Sequence, residues 1–117
     1  MWALQYVQLP DVALVPAGMK EWRMVMTRNL SATRAQDLGT VQVPGMTPSA
    51  QAHAWRFQGL RPDGSGTGKV PVEVQTWHFF HGRTVFQASV WRSTRHPAAK
   101  TDEDMAQEFF RSFQFAQ

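Results

Sequence analysis

Residues 72–92 read VEVQTWHFFHGRTVFQASVWR, and this stretch decides the fold. Two runs rich in Val, Phe, Trp and Thr flank Gly82-Arg83, the composition of two β-strands around a tight turn. Glycine tolerates the positive φ that the first position of a two-residue type II′ turn demands. A turn at 82–83 sets the register: Phe79 opposes Phe86, Trp77 opposes Ala88, Gln75 opposes Val90 and Glu73 opposes Arg92. These pairs share one face, mostly apolar and closed by a charge pair. The other face carries Val74, Thr76, His78, Phe80, Val85, Gln87, Ser89 and Trp91. It mixes apolar and polar groups, and a slip of one residue would regroup all of them.

Working outward, His53, Trp55 and Phe57 alternate with Ala52, Ala54, Arg56 and Gln58, which predicts another strand. Gly59 to Gly68, with Pro62 inside it, reads as a flexible connection to the hairpin. Thr40 to Val43 predicts a short strand between a turn at Asp37-Leu38-Gly39 and a stop at Pro44-Gly45, and residues 46–51 read as a loop. Met19, Trp22, Met26 and Leu30 fall at i, i+3, i+7 and i+11. That is one apolar stripe, and it predicts a helix over roughly 18–34, preceded by a break at Pro16-Ala17-Gly18. Residues 2–9, WALQYVQL, alternate as a strand does.

Beyond the hairpin, Ser93 to Lys100 is a polar loop containing Pro97. Thr101 followed by Asp102, Glu103 and Asp104 suits a helix N-terminus, where a hydroxyl cap and carboxylates satisfy orphan amides and the dipole. Met105, Phe109 and Phe113 at i, i+4 and i+8 predict an amphipathic helix over roughly 102–113, with Phe115 packed in a short extension. The expected fold is α+β: one domain over residues 1–117, an antiparallel β-sheet with two amphipathic helices packed on it. The expected core is Trp22, Met26, Trp55, Phe57, Trp77, Phe79, Phe86, Val90, Met105, Phe109 and Phe113.

Composition narrows the function. The chain of 117 residues has five Trp and eight Phe, which argues against disorder. It has no cysteine, so disulfides, thiolate metal sites and Cys nucleophiles are excluded. No run of 18 apolar residues is present. Residues 1–11 lack the basic start and apolar stretch of a secretion signal, as they would in an exported chain whose leader had been removed. The net charge is +3, and nine of the twelve basic residues are Arg. Arg56, Arg61, Lys69, Arg83, Arg92, Arg95 and Lys100 face only Asp63 and Glu73 in residues 51–100, which also hold all four histidines. A basic middle can attract an anionic partner. Without a run of five or more Lys/Arg, scattered surface charge explains it better than specific nucleic-acid binding.

The chemistry-bearing patterns are weak. Gly64-Ser65-Gly66-Thr67-Gly68-Lys69 imitates a phosphate loop. Asp63 stands where the first glycine belongs, Val70 where Ser/Thr belongs, and Pro71 opens a strand rather than a helix. His78 and His81 point to opposite faces of a strand, so no metal or cofactor is expected. His78 beside Thr76 and Gln87 could serve as a general base, against the plainer reading of a half-exposed strand histidine. Aromatics interleaved with Arg, as in Trp55-Arg56-Phe57 and Trp91-Arg92, are a pattern of strand-based single-strand nucleic-acid binders, but here the rings fit the core.

Val41-Gln42-Val43-Pro44-Gly45, the phrase HFFHGRTVFQASVW (78–91) and the closing DMAQEFFRSFQF (104–115) together resemble the PsbP-like α/β/α sandwich domains of bacterial envelope proteins and lipoproteins, including relatives of DcrB. The resemblance covers most of the chain and rests on core and turn residues. It implies a fold without shared catalytic residues, lacking here the family's opening strands. It also implies a non-enzymatic binding or assembly module, periplasmic or envelope-associated, that recognises a protein or lipid-like partner. A cytoplasmic adaptor or chaperone for a secreted effector is the alternative it leaves, an enzyme using His78 is a lesser one, and a homodimer is an assembly open to it. The expected partner-binding residues are Arg56, Thr76, His78, Arg83, Gln87, Ser89 and Trp91.

Overall fold

The computed structural model describes residues 2–31, 34–62, 64–94 and 100–115, and the side chains of residues 100–102 lie outside that description. The hairpin forms its centre. Strand β4 (Lys69–His81) returns as β5 (Thr84–Ser93), with Phe79 opposite Phe86, Trp77 opposite Ala88 and Glu73 opposite Arg92, as the turn position predicts. Gly82 has φ 58° and Arg83 is not at positive φ, which fits the type II′ turn and excludes type I′. Strands β1 (Trp2–Gln8), β2 (Arg34–Thr40) and β3 (His53–Pro62) complete an antiparallel five-stranded sheet in the order β1-β5-β4-β3-β2.

One helix covers each face. Helix α1 (Val15–Asn29) places Val15, Met19 and Met26, with Leu30 just beyond its end, against Phe57, Val72, Val74, Phe80 and Val85. Helix α2 (Lys100–Arg111) sets Phe110 on the opposite face, in a cluster with Phe79, Ala88 and Val43. Each face of the sheet is roofed and buried at its centre: the α2 face is apolar there, and the α1 face sets Thr76, His78, Gln87 and Ser89 between two apolar clusters.

The helix boundaries differ from the periodicity reading for local reasons. Pro16 sits in the first turn of α1, where its missing N–H removes no helical bond, so Pro16-Ala17-Gly18 opens the helix instead of interrupting it. At the other end Ser31 takes φ 45°, and Arg34 already begins β2. The turn signal Asp37-Leu38-Gly39 is a β-bulge within that strand: the register shifts there, Gly39 has φ 101°, and its N–H donates to Asp37 Oδ1 at 2.8 Å. Only Thr40 of the expected strand over 40–43 is in a ladder, although Val41 N–H still donates to the Ala52 carbonyl.

The start of the predicted flexible connection, Gly59 to Pro62, is strand, and residues 64–68 are irregular as expected. Gly59 belongs to β3 because α1 ends against it. A Cβ there would lie 2.3 Å from the Leu30 carbonyl oxygen, which instead accepts from Leu60 N–H at 2.7 Å. The last helix is rotated by one residue relative to the expected stripe. Ala106 and Phe110 are its buried positions, while Met105 is 47% exposed and leaves the core list. The small Ala106 lets the helix approach, and Phe110 lies flat on Trp77 with ring centroids 5.0 Å apart. Phe109, Phe113 and Phe115 pack around this stack. The capping role expected of Thr101 lies outside the described residues, as do Asp63, Arg95 and His96.

Candidate functional site

The mixed hairpin face is the one α1 covers. Thr76, His78, Gln87 and Ser89 are all buried there, His78 to 2% exposure. Four of the seven expected partner-binding residues therefore lie beneath a helix. The seven expected residues do not gather in one place. Arg56 opposes Gln75, which opposes Val90, so it stands on the α2 face. Arg83 is exposed in the turn, and Trp91 borders clefts on both sides.

Beneath α1 the polar groups form a chain. Gln87 Nε2 donates to Gln5 Oε1 at 2.9 Å, which leaves Gln87 Oε1 as the acceptor facing His78 Nε2 at 2.8 Å. The ring therefore carries its proton on Nε2. Burial pushes the His78 pKa down to about 4, against the smaller raising effect of the Gln87 bond, so the imidazole is neutral at physiological pH. Trp22 caps it edge-on, with ring centroids 6.5 Å apart. Trp91 Nε1 donates to Ser89 Oγ, and Thr76 Oγ1 is buried with no hydrogen-bond partner among the described residues. The chain joins two shallow clefts at the margins of α1, one reached by Gln5 and Gln87 and the other by His78. In the second, His53 Nδ1 lies 2.9 Å from Asp37 Oδ1. The hydrogen bond from His53, with that from Gly39, holds the exposed Asp37 carboxyl below its ordinary range.

The opposite face offers a cleft of about 460 Å³ between the sheet and the start of α2. Its floor is charged. Glu73 accepts a hydrogen bond from Arg92 Nη2 and lies 2.7 Å from Arg56 Nε. The Arg56 contact is a charge contact without hydrogen-bond alignment, since that N–H has no acceptor in line. Two guanidiniums thus face one carboxylate. Trp2, Val90 and Met105 supply apolar wall, and Glu103 and Asp104 stand on the helix side. The Glu73–Arg92 pair is legible in the hairpin register. Trp2 and Met105 are not, because neither the β1–β5 pairing nor the rotation of α2 has a local signal, and helix capping already accounts for the acids.

Among the described residues, no three His, Asp or Glu side chains come together as a metal site, and no helix is long and apolar enough to cross a membrane. Fold and clefts define an α+β domain with a five-stranded antiparallel sheet and one helix on each face. No protein-family model, curated protein or solved structure matches the chain.

Proposed function

We propose that this domain is a non-catalytic binding module of the bacterial cell envelope, with a PsbP-like frame, that holds a segment of a partner protein in the cleft between α2 and the sheet. The observation that carries the proposal is the floor of that cleft. Arg56 and Arg92 share the single carboxylate of Glu73 beside the apolar surfaces of Trp2 and Met105. Arg56, whose Nε–H has no aligned acceptor among the described residues, next to an apolar wall suits a ligand carboxylate adjoining an apolar side chain. The buried His78–Gln87 pair supports a non-catalytic reading, because burial and a fixed hydrogen bond already account for its state. The envelope compartment rests on the resemblance of the hairpin and closing-helix phrases.

Short peptides ending in Leu or Phe with a free C-terminal carboxylate test the proposal, with tryptophan emission as the readout. Binding that weakens about tenfold or more in Arg56→Gln, as expected for loss of a charged hydrogen bond, supports it. Binding unchanged by both Arg56→Gln and Met105→Glu overturns the cleft. Oleate binding with no peptide binding replaces the protein partner by a lipid-like one.

A further inference from the structure

The two edges of the sheet are built differently. Edge strand β2 carries Arg34 and Asp37 and is broken by the bulge at Asp37–Gly39, devices that discourage strand addition. Edge strand β1, WALQYVQ, has no charge, no proline and no register break against β5. It leaves Trp2, Leu4 and Tyr6 exposed at 42%, 46% and 70%. Its free backbone groups can be assigned. Leu9 N–H donates to the carbonyl of Arg83, the turn residue just before β5, and amide direction alternates along a strand. Val7, Gln5 and Ala3 therefore face β5, whereas Gln8, Tyr6, Leu4 and Trp2 face outward.

We propose that β1 pairs antiparallel with β1 of a second copy, joining two sheets into one. The strand is self-complementary about Gln5. Trp2 then opposes Gln8 of the partner subunit and Leu4 opposes Tyr6 of the partner subunit. All the outward-facing groups meet, and the exposed apolar side chains stay on the α2 face of both copies. No like charges are opposed, because the strand has none. The surrounding charges select the antiparallel direction: Glu103 and Asp104 lie at the Trp2 end, and Arg83 lies at the Gln8 end through its contact with Leu9. A two-fold axis through Gln5 sets the acidic end of one copy against the basic end of the other. This inference does not depend on the cleft reading.

Sedimentation equilibrium of the full chain over a concentration series, with amide exchange read residue by residue, tests it. The expected result is a dimer in which the Leu4, Tyr6 and Gln8 amides gain protection with concentration while Gln5 and Val7 are protected throughout. Leu4→Lys is expected to raise the dimer dissociation constant at least tenfold. Tyr6→Pro, which removes an outward donor and no β5 bond, is expected to do the same, while the far-ultraviolet spectrum stays folded. A monomer across the range overturns the proposal. So does a dimer indifferent to both variants, with Leu4 and Tyr6 amides that exchange freely.

Discussion

His78 and Gln87 face each other across the central hairpin at 2.8 Å, and the second hydrogen bond of Gln87, to Gln5, ties β1 to the same pair. Three strands are therefore pinned by one polar chain, buried at His78 and Gln87 and reaching the exposed Gln5. A buried neutral imidazole is a stability device with a pH limit.

That limit has a definite sign. Folded His78 titrates at about 4, and the unfolded residue at 6.5. The unfolded chain takes up the proton first, so this stabilisation is complete above about pH 6.5 and is lost as pH falls from there toward 4. The loss amounts to about 3 kcal/mol. Urea unfolding at stepped pH is expected to show this decline, and His78→Leu to flatten it.

Glu73 holds Arg56 and Arg92 together on the other face. Glu73→Gln removes the carboxylate that both guanidiniums contact. The cluster is only partly buried, so the expected cost is about 1–2 kcal/mol, between the values for exposed and buried pairs. Arg92→Gln is expected to cost less, because Arg56 keeps its carboxylate. Equilibrium denaturation of the two variants checks the order.

Gly59→Ala is expected to destabilise by about 1–3 kcal/mol, because its Cβ would meet the Leu30 carbonyl oxygen at 2.3 Å. That atom is backbone, so the end of α1 must move. A thermal melt, with amide exchange at Leu60, reports both the loss and its location.

Phe110 is fully buried and stacked on Trp77. Phe110→Ala is expected to cost about 3–5 kcal/mol and to expose α2 to limited proteolysis before the sheet. Met105→Ala, at an exposed position of the same helix, is expected to change stability by less than about 0.5 kcal/mol.

Much of the fold is legible in the sequence where the signal is local. A two-residue turn and strict alternation determine the β4–β5 register from His81↔Thr84 back to Val72↔Ser93. The signal fails where one residue pattern serves two structures. Asp37-Leu38-Gly39 has the same side-chain-to-backbone bond in a bulge as in a turn, so the start of β2 is hidden behind it. Met105, Ala106, Phe109, Phe110 and Phe113 span an arc wide enough for two apolar stripes, and only the Trp77 ring chooses between them. The expected site residues are divided between the two faces for a topological reason. Alternation assigns Thr76, His78, Gln87 and Ser89 to one face, but does not say which helix roofs it.

The first strand of the chain lies beside its last in the sheet. The Gln5–Gln87 bond closes a separation of 82 residues, whereas the His78–Gln87 bond closes only 9. Loop-closure entropy rises with that separation, and local hairpins form on the microsecond scale. Assembly therefore has a direction in time: the hairpin zips first and β1 docks after the intervening chain has condensed. In unfolding the order reverses, and β1 is the strand whose departure leaves the rest of the ladder standing.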